Sequence, residues 1–102
     1  MNKSAQAVSR AFVRGESKTV GNGSTNGDRL FLFGNTIAFK EDHRVFVTLA
    51  GWNTPTTRRW VNSVLSEVNS PLRIFCKDFE PYMKAAGLEP VMIDSDEVLL
   101  AN

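Results

Sequence analysis

The stretch from Arg29 to Val68, RLFLFGNTIAFKEDHRVFVTLAGWNTPTTRRWVNSVLSEV, constrains the fold more than any other part of the chain. Its apolar residues recur first at every second position and then at every third or fourth, a switch from strand to helix period. Gly34-Asn35 between two apolar runs reads as a two-residue hairpin, because Gly accepts the positive φ needed at the first position of a type II′ turn. That register sets Leu32 opposite Ile37 and Leu30 opposite Phe39. A three-residue turn at Glu41-Asp42-His43 then sets Phe39 opposite Val45 and Ile37 opposite Val47. One face collects Leu30, Leu32, Ile37, Phe39, Val45, Val47 and Leu49; the other carries Phe31, Phe33, Thr36, Ala38, Phe46 and Thr48. Thr54 is suited to cap a helix whose first position is Pro55. Thr57, Trp60, Val61, Val64, Leu65 and Val68 form its apolar stripe, expected to pack on the first strand face.

The flanks carry weaker signals. Ala5, Val8, Ala11 and Phe12 have loose helical spacing beside Lys3, Arg10, Arg14 and Lys18, and GNGSTNG follows with three glycines. Ala5 to Val13 is thus open to two readings, a short helix or a disordered arm. The segment 1–28 as a whole is expected to be a flexible basic arm and Gly-rich loop outside the folded domain. GNGSTNG lacks the Gly-Lys-Ser/Thr ending of a phosphate-binding loop. Downstream, Leu72 to Lys77 alternates as a fourth strand. Asp78 is placed to cap a short helix from Phe79 to Ala86, with Pro81 in its first turn and Gly87 as its stop. Residues 90–93 and 98–100 suggest a last hairpin around Asp94-Ser95-Asp96-Glu97. The expected fold is therefore α+β: a three-stranded antiparallel meander packed on one main helix, with a short βα(ββ) C-terminal tail. Residues 29–102 form a single domain in this reading.

The net charge of +1 gives no global argument for nucleic acid or membrane, but its distribution is uneven. Residues 1–60 hold nine Lys/Arg against four Asp/Glu, and residues 61–102 hold three against seven. Such a chain can present a basic face, pair with itself as a homodimer, or cancel its charges across the fold. Cys76 is the single cysteine, which leaves no intramolecular disulfide and no ligand set for structural zinc. No segment has the roughly 20 apolar residues of a membrane span, and the N-terminus lacks the apolar core of a secretory signal. These features predict a soluble, cytoplasmic protein without cofactor or metal.

Gly34-Asn35-x-Ile37-Ala38 followed by Gly51-Trp52-x-Thr54-x-x-Thr57 resembles a pattern in small proteins encoded by tailed bacteriophages. There, a Gly-Asn-x-Ile-Ala strand precedes a Gly-Trp-x-Thr…Thr-x-x-Arg-Leu-Asn helix start. The match covers roughly residues 20–65, with Trp60-Val61-Asn62 standing where Arg-Leu-Asn is expected, and the C-terminal third departs from the pattern. The resemblance implies a phage origin, hence the host cell cytoplasm, and no particular activity.

No catalytic constellation stands out. His43, the only histidine, sits in a polar turn; Cys76 alternates with apolar residues and reads as a small buried hydrophobe. Asp94, Asp96 and Glu97 lack the glycine and glutamate spacing of a calcium loop, though they can mimic phosphates toward a nucleic-acid-binding host protein. Arg58 and Arg59 at a helix start suit phosphate contacts, which Arg10, Arg14, Lys18, Arg29 and Lys40 extend. Phe31 and Phe46 can stack bases if their face is open. Trp52 is either core or an exposed anchor for a protein partner. The leading expectation is a small non-catalytic phage accessory protein that binds and modulates a host macromolecule, a host protein first. The alternatives are a nucleic-acid-binding module using the basic helix start and arm, and a structural or self-assembling virion component.

Overall fold

The computed structural model describes residues 3–102. Helix α1 (Lys3–Arg14) leads into strands β1 (Ser17–Val20), β2 (Gly23–Asn26), β3 (Arg29–Leu32), β4 (Asn35–Glu41) and β5 (Arg44–Thr48). Helix α2 (Pro55–Glu67) follows, then β6 (Leu72–Lys77), β7 (Glu80–Ala85), β8 (Val91–Met92) and β9 (Val98–Leu100). Two antiparallel sheets result, one of six strands ordered β1-β2-β3-β4-β5-β9 and one of three ordered β6-β7-β8. Strand outweighs helix, 41% against 25%, which overturns the expected three-stranded meander on a single helix.

The correction begins at the N-terminus. Of the two readings of Ala5 to Val13 the helix holds, as α1, while the expected flexible loop supplies β1 and β2, so this segment is part of the fold; its first two positions lie outside the described residues. Ala5, Val8, Ser9 and Phe12 are buried at helical spacing, and α1 packs on α2 and on β1 to β3. The helix ends with Gly15 at φ +75, where the Gly15 N–H bonds Phe12 O and the Glu16 N–H bonds Ala11 O. The Lys40 ammonium donates to Phe12 O at 2.6 Å and Gly27 O at 2.8 Å, placing a cation at the negative end of α1. The Gly-rich stretch holds a strand in which one glycine has a steric role. A Cβ on Gly23 would lie 2.1 Å from the Trp60 ring, so only glycine lets β2 pass over that indole.

The central hairpins exist as expected, but their registers differ. The β3–β4 turn is Phe33-Gly34, with φ of 51° and 81°, so Leu32 pairs with Asn35. Two consecutive positive φ values make a type I′ geometry. A bulge then leaves Ile37 without a partner on β3, and Ile37 and Ala38 are both buried. The β4–β5 turn is likewise two residues, Asp42-His43, with φ of 51° and 64°. Phe39 therefore pairs with Phe46, not Val45, and moves to the outer face, where the two rings stack with centroids 5.3 Å apart. The inner row across the sheet is Thr25, Leu30, Ala38, Val47 and Leu99, all buried beneath the helices.

Helix α2 follows the sequence reading closely. The Thr54 hydroxyl accepts from the Thr57 N–H at 3.2 Å, Pro55 opens the helix, and Thr57, Trp60, Val61, Val64 and Leu65 are buried. Asn69 at φ 57° ends it, with the Ser70 N–H bonded to Leu65 O and the Asn69 N–H to Ser66 O. Beyond it the expected βα(ββ) tail is replaced. Phe79–Ala86 is not a helix: Asp78-Phe79, at φ 52° and 65°, turns β6 back into β7. Pro81 sits opposite Cys76, the second pair from that turn, where its missing N–H would point away from β6. Strands β8 and β9 do not pair with each other; β8 joins β7 and β9 crosses to β5.

Candidate functional site

The turn chemistry places unusual side chains at one end of the molecule. The first position of a type I′ turn favours Asn, Asp or Gly, because a Cβ at positive φ crowds the backbone. Phe33 occupies it and is 62% exposed, so the strain, about 1 kcal/mol, is not offset by burial. Close by, Ala50 and Gly51 also take positive φ, the Trp52 N–H closes onto Leu49 O, and Trp52 is thrown outward, 57% exposed. Phe33 and Trp52 flank an apolar cleft of about 350 Å³ with Leu32, Ile37 and Leu49 among its walls. Asn35, Thr54 and Thr57 supply the polar part of its lining.

A third aromatic joins them through Asn53. Its Oδ1 accepts from Arg58 Nη1 at 2.6 Å, and its Nδ2 donates to the carbonyl of Phe79 at 3.3 Å. That single side chain ties the start of α2 to the tip of the β6–β7 hairpin. Phe79 itself, at φ 65°, is 94% exposed. Three aromatic rings thus project from adjoining loops, fixed by turns and one bridging amide rather than by burial. Exposed aromatics of this kind contribute strongly to binding where a partner desolvates them.

The structure separates the residues singled out from sequence. Trp52 belongs to the aromatic end. Arg58 is half-buried and engaged with Asn53, and Arg59 is exposed on α2. Arg10 pairs with Glu67 at 3.2 Å, at the other end of α2; Arg14 closes α1 and Lys18 lies on β1, both exposed. Arg58 and Glu67 are nine positions apart on the helix, about 14 Å at 1.5 Å per residue. Arg10 is therefore held away from the helix start, and the Lys40 ammonium is engaged by Phe12 O at the end of α1 and by Gly27 O. Phe31 and Phe46 are half-buried on the outer face of the large sheet, which no described element covers. They do not flank Ala38, which faces the core. Across that face Arg29 lies over Phe39, 5.7 Å from its centroid, and Phe39 stacks on Phe46.

Sequence reasoning missed Phe33 and Phe79, because neither Phe-Gly nor Asp-Phe carries the usual signal of a tight turn. Cys76 was expected in the core and is exposed, since β6 runs past the part of the small sheet that α2 covers. His43 lies in an exposed turn. Among the described residues no group of three or more His, Cys, Asp or Glu side chains converges as metal ligands. No helix among them is long and apolar enough to cross a membrane.

Compared with known proteins, residues 1–97 match the model of a family described as Kyanoviridae Gp96 protein. No curated protein and no solved structure matches the chain.

Proposed function

From the premise that the chain belongs to the Kyanoviridae Gp96 family, and is thus a small phage protein, we propose that it is an accessory factor that acts by binding, without catalysis, a host protein. The observation that carries this reading is Phe33: a strained, exposed aromatic across an apolar cleft from exposed Trp52. A fold under selection for stability alone favours Asn at that turn position. Strain retained where it does nothing for the core points to a role outside the core. The cleft's volume suits an anchoring side chain of a partner, with Trp52 and Phe33 closing over it.

The test is capture from host lysate with the protein tagged at either end, wild type beside Trp52→Ala and Phe33→Asn. A partner retained by wild type through both tags and lost with either variant is the expected result. An identical set of captured proteins for all three would reject the site.

The outer sheet face supports a second reading. Arg29 over Phe39, with Phe46 and Phe31 half-exposed beside it, offers stacking and charge to a single-stranded nucleic acid. Fluorescence anisotropy with labelled DNA and RNA at low and moderate salt tests it. Binding that falls with salt and with Phe46→Ala favours this face; no binding at low salt removes it.

A further inference from the structure

A second groove is lined by Gly51, the chain neighbour of the Trp52 that lines the aromatic cleft. It holds about 510 Å³ and is lined by Gly51, Glu80, Pro81, Met92, Asp94 and Asp96 among others. The Gly51 N–H bonds Ser95 O at 2.8 Å, so this loop is joined directly to the wall that carries Trp52. Three carboxylates and no cation line the groove. Asp78 and Glu97 stand next to it in the same loops, and no ion pair among the described residues involves any of the five. Lys77 is cross-strand from Glu80 without forming an ion pair with it, and Arg58 is engaged with Asn53. Exposed Met92 borders the groove, and exposed Phe79 precedes Glu80 in the chain.

Resting on the protein-binding reading above, we propose that the aromatic cleft and the acidic groove form one docking surface for a cationic protein segment carrying an apolar anchor. The anchor enters between Phe33 and Trp52, and Lys or Arg side chains beside it meet Glu80, Asp94 and Asp96. Charge complementarity selects this occupant. An anionic segment or a nucleic acid would meet unpaired carboxylates a few residues from its anchor, where like charge is repulsive. The unpaired acids also raise the rate at which a basic partner arrives.

The probes are three short fluorescein-labelled peptides: Lys, Arg and Ser around a central Leu-Leu pair; the same with Gly-Gly at the centre; and Glu in place of the basic residues around Leu-Leu. Anisotropy titrations with wild type are expected to rank the basic Leu peptide first, on the order of tenfold tighter than either control. Trp52→Ala should remove the advantage of Leu-Leu over Gly-Gly. Glu80→Gln with Asp94→Asn and Asp96→Asn should remove the advantage of basic over acidic and flatten the salt dependence, whereas Glu16→Gln should change nothing. Circular dichroism of each variant checks its fold. Equal binding of all three peptides, or preference for the acidic peptide, overturns the proposal. A host protein lost from Trp52→Ala but still captured by the charge-neutralised variant also overturns it, and leaves the protein-binding reading standing.

Discussion

The six-stranded sheet and the three-stranded sheet meet on α2, but they are held there by different forces. The large sheet turns Leu30, Ile37, Ala38, Val47 and Leu99 toward two helices that answer with Phe12, Val61, Val64 and Leu65, all buried. The small sheet buries little beyond Ile74 and Pro81. It is fastened by Asn62, whose Nδ2 donates to Ile74 O at 2.8 Å and whose Oδ1 accepts from the Ile74 N–H at 2.7 Å. A side-chain amide thus imitates the backbone of a neighbouring strand. Burial fixes a scaffold without much regard to direction, whereas a paired hydrogen bond fixes register with little buried area. The small sheet can therefore carry its hairpin tip and acids into solvent while staying aligned with the helix that bears Trp52's loop.

This contrast can be broken from either side. The largest effect is expected for Phe12→Ala, a loss of about 3–5 kcal/mol read in urea denaturation as a single transition moved to lower denaturant. Asn62→Leu is expected to cost about 2 kcal/mol, because Ile74 keeps a partly buried N–H and C=O with no partner. Its signature is faster amide exchange in β6 to β8 with protection in β3 to β5 retained. Equal loss of protection in both sheets would mean that they unfold as one unit, and the contrast would fail. Lys40→Met, which strips the cation from Phe12 O and Gly27 O, should destabilise by about 1–2 kcal/mol in the same denaturation assay.

Two substitutions should stabilise. The Ser9 hydroxyl is buried in α1 without a hydrogen-bond partner, so Ser9→Ala should add about 1 kcal/mol to the unfolding free energy. Phe33→Asn relieves the turn and should add about 0.5 kcal/mol, seen as a small rise in Tm while partner capture is lost. Coupled gain of stability and loss of binding at one position separates a surface kept for contact from one kept for folding.

The same contrast explains what was legible in the sequence. Helix α2 could be read to within a residue because its signals are local: Thr54 and Pro55 at the start, the stripe from Thr57 to Leu65, the polar Asn69 after it. The strands of the centre were equally legible as strands. Their registers were not, because Phe33, Asp42 and His43 take positive φ without being glycine, and such turns are chosen by the tertiary structure around them. A bulge at Ile37 then moved Phe39 to the other face. Glu80–Ala85 carried helix signals in Asp78, Pro81 and Gly87 that were overridden by pairing with β6. Gly23 looked like flexibility and proved to be clearance for Trp60, a contact between residues far apart in sequence. Of the candidate site, Trp52 was legible; Phe33 and Phe79 were not, since exposure at a hairpin tip depends on a register the sequence did not specify.

The position of β9 has a consequence for how the molecule comes to be made. β5 pairs with β4, its neighbour in sequence, but its other edge is closed by a strand that lies in the chain beyond α2 and the whole small sheet. That strand is Val98 to Leu100, with the Ala101 N–H closing onto Val45 O. Until it docks, an open edge bearing Phe46 and Thr48 can recruit a strand from another nascent chain. The strand that closes this edge is the last in the chain, so substitutions that weaken β9 are expected to raise aggregation of newly made protein more than they lower its equilibrium stability.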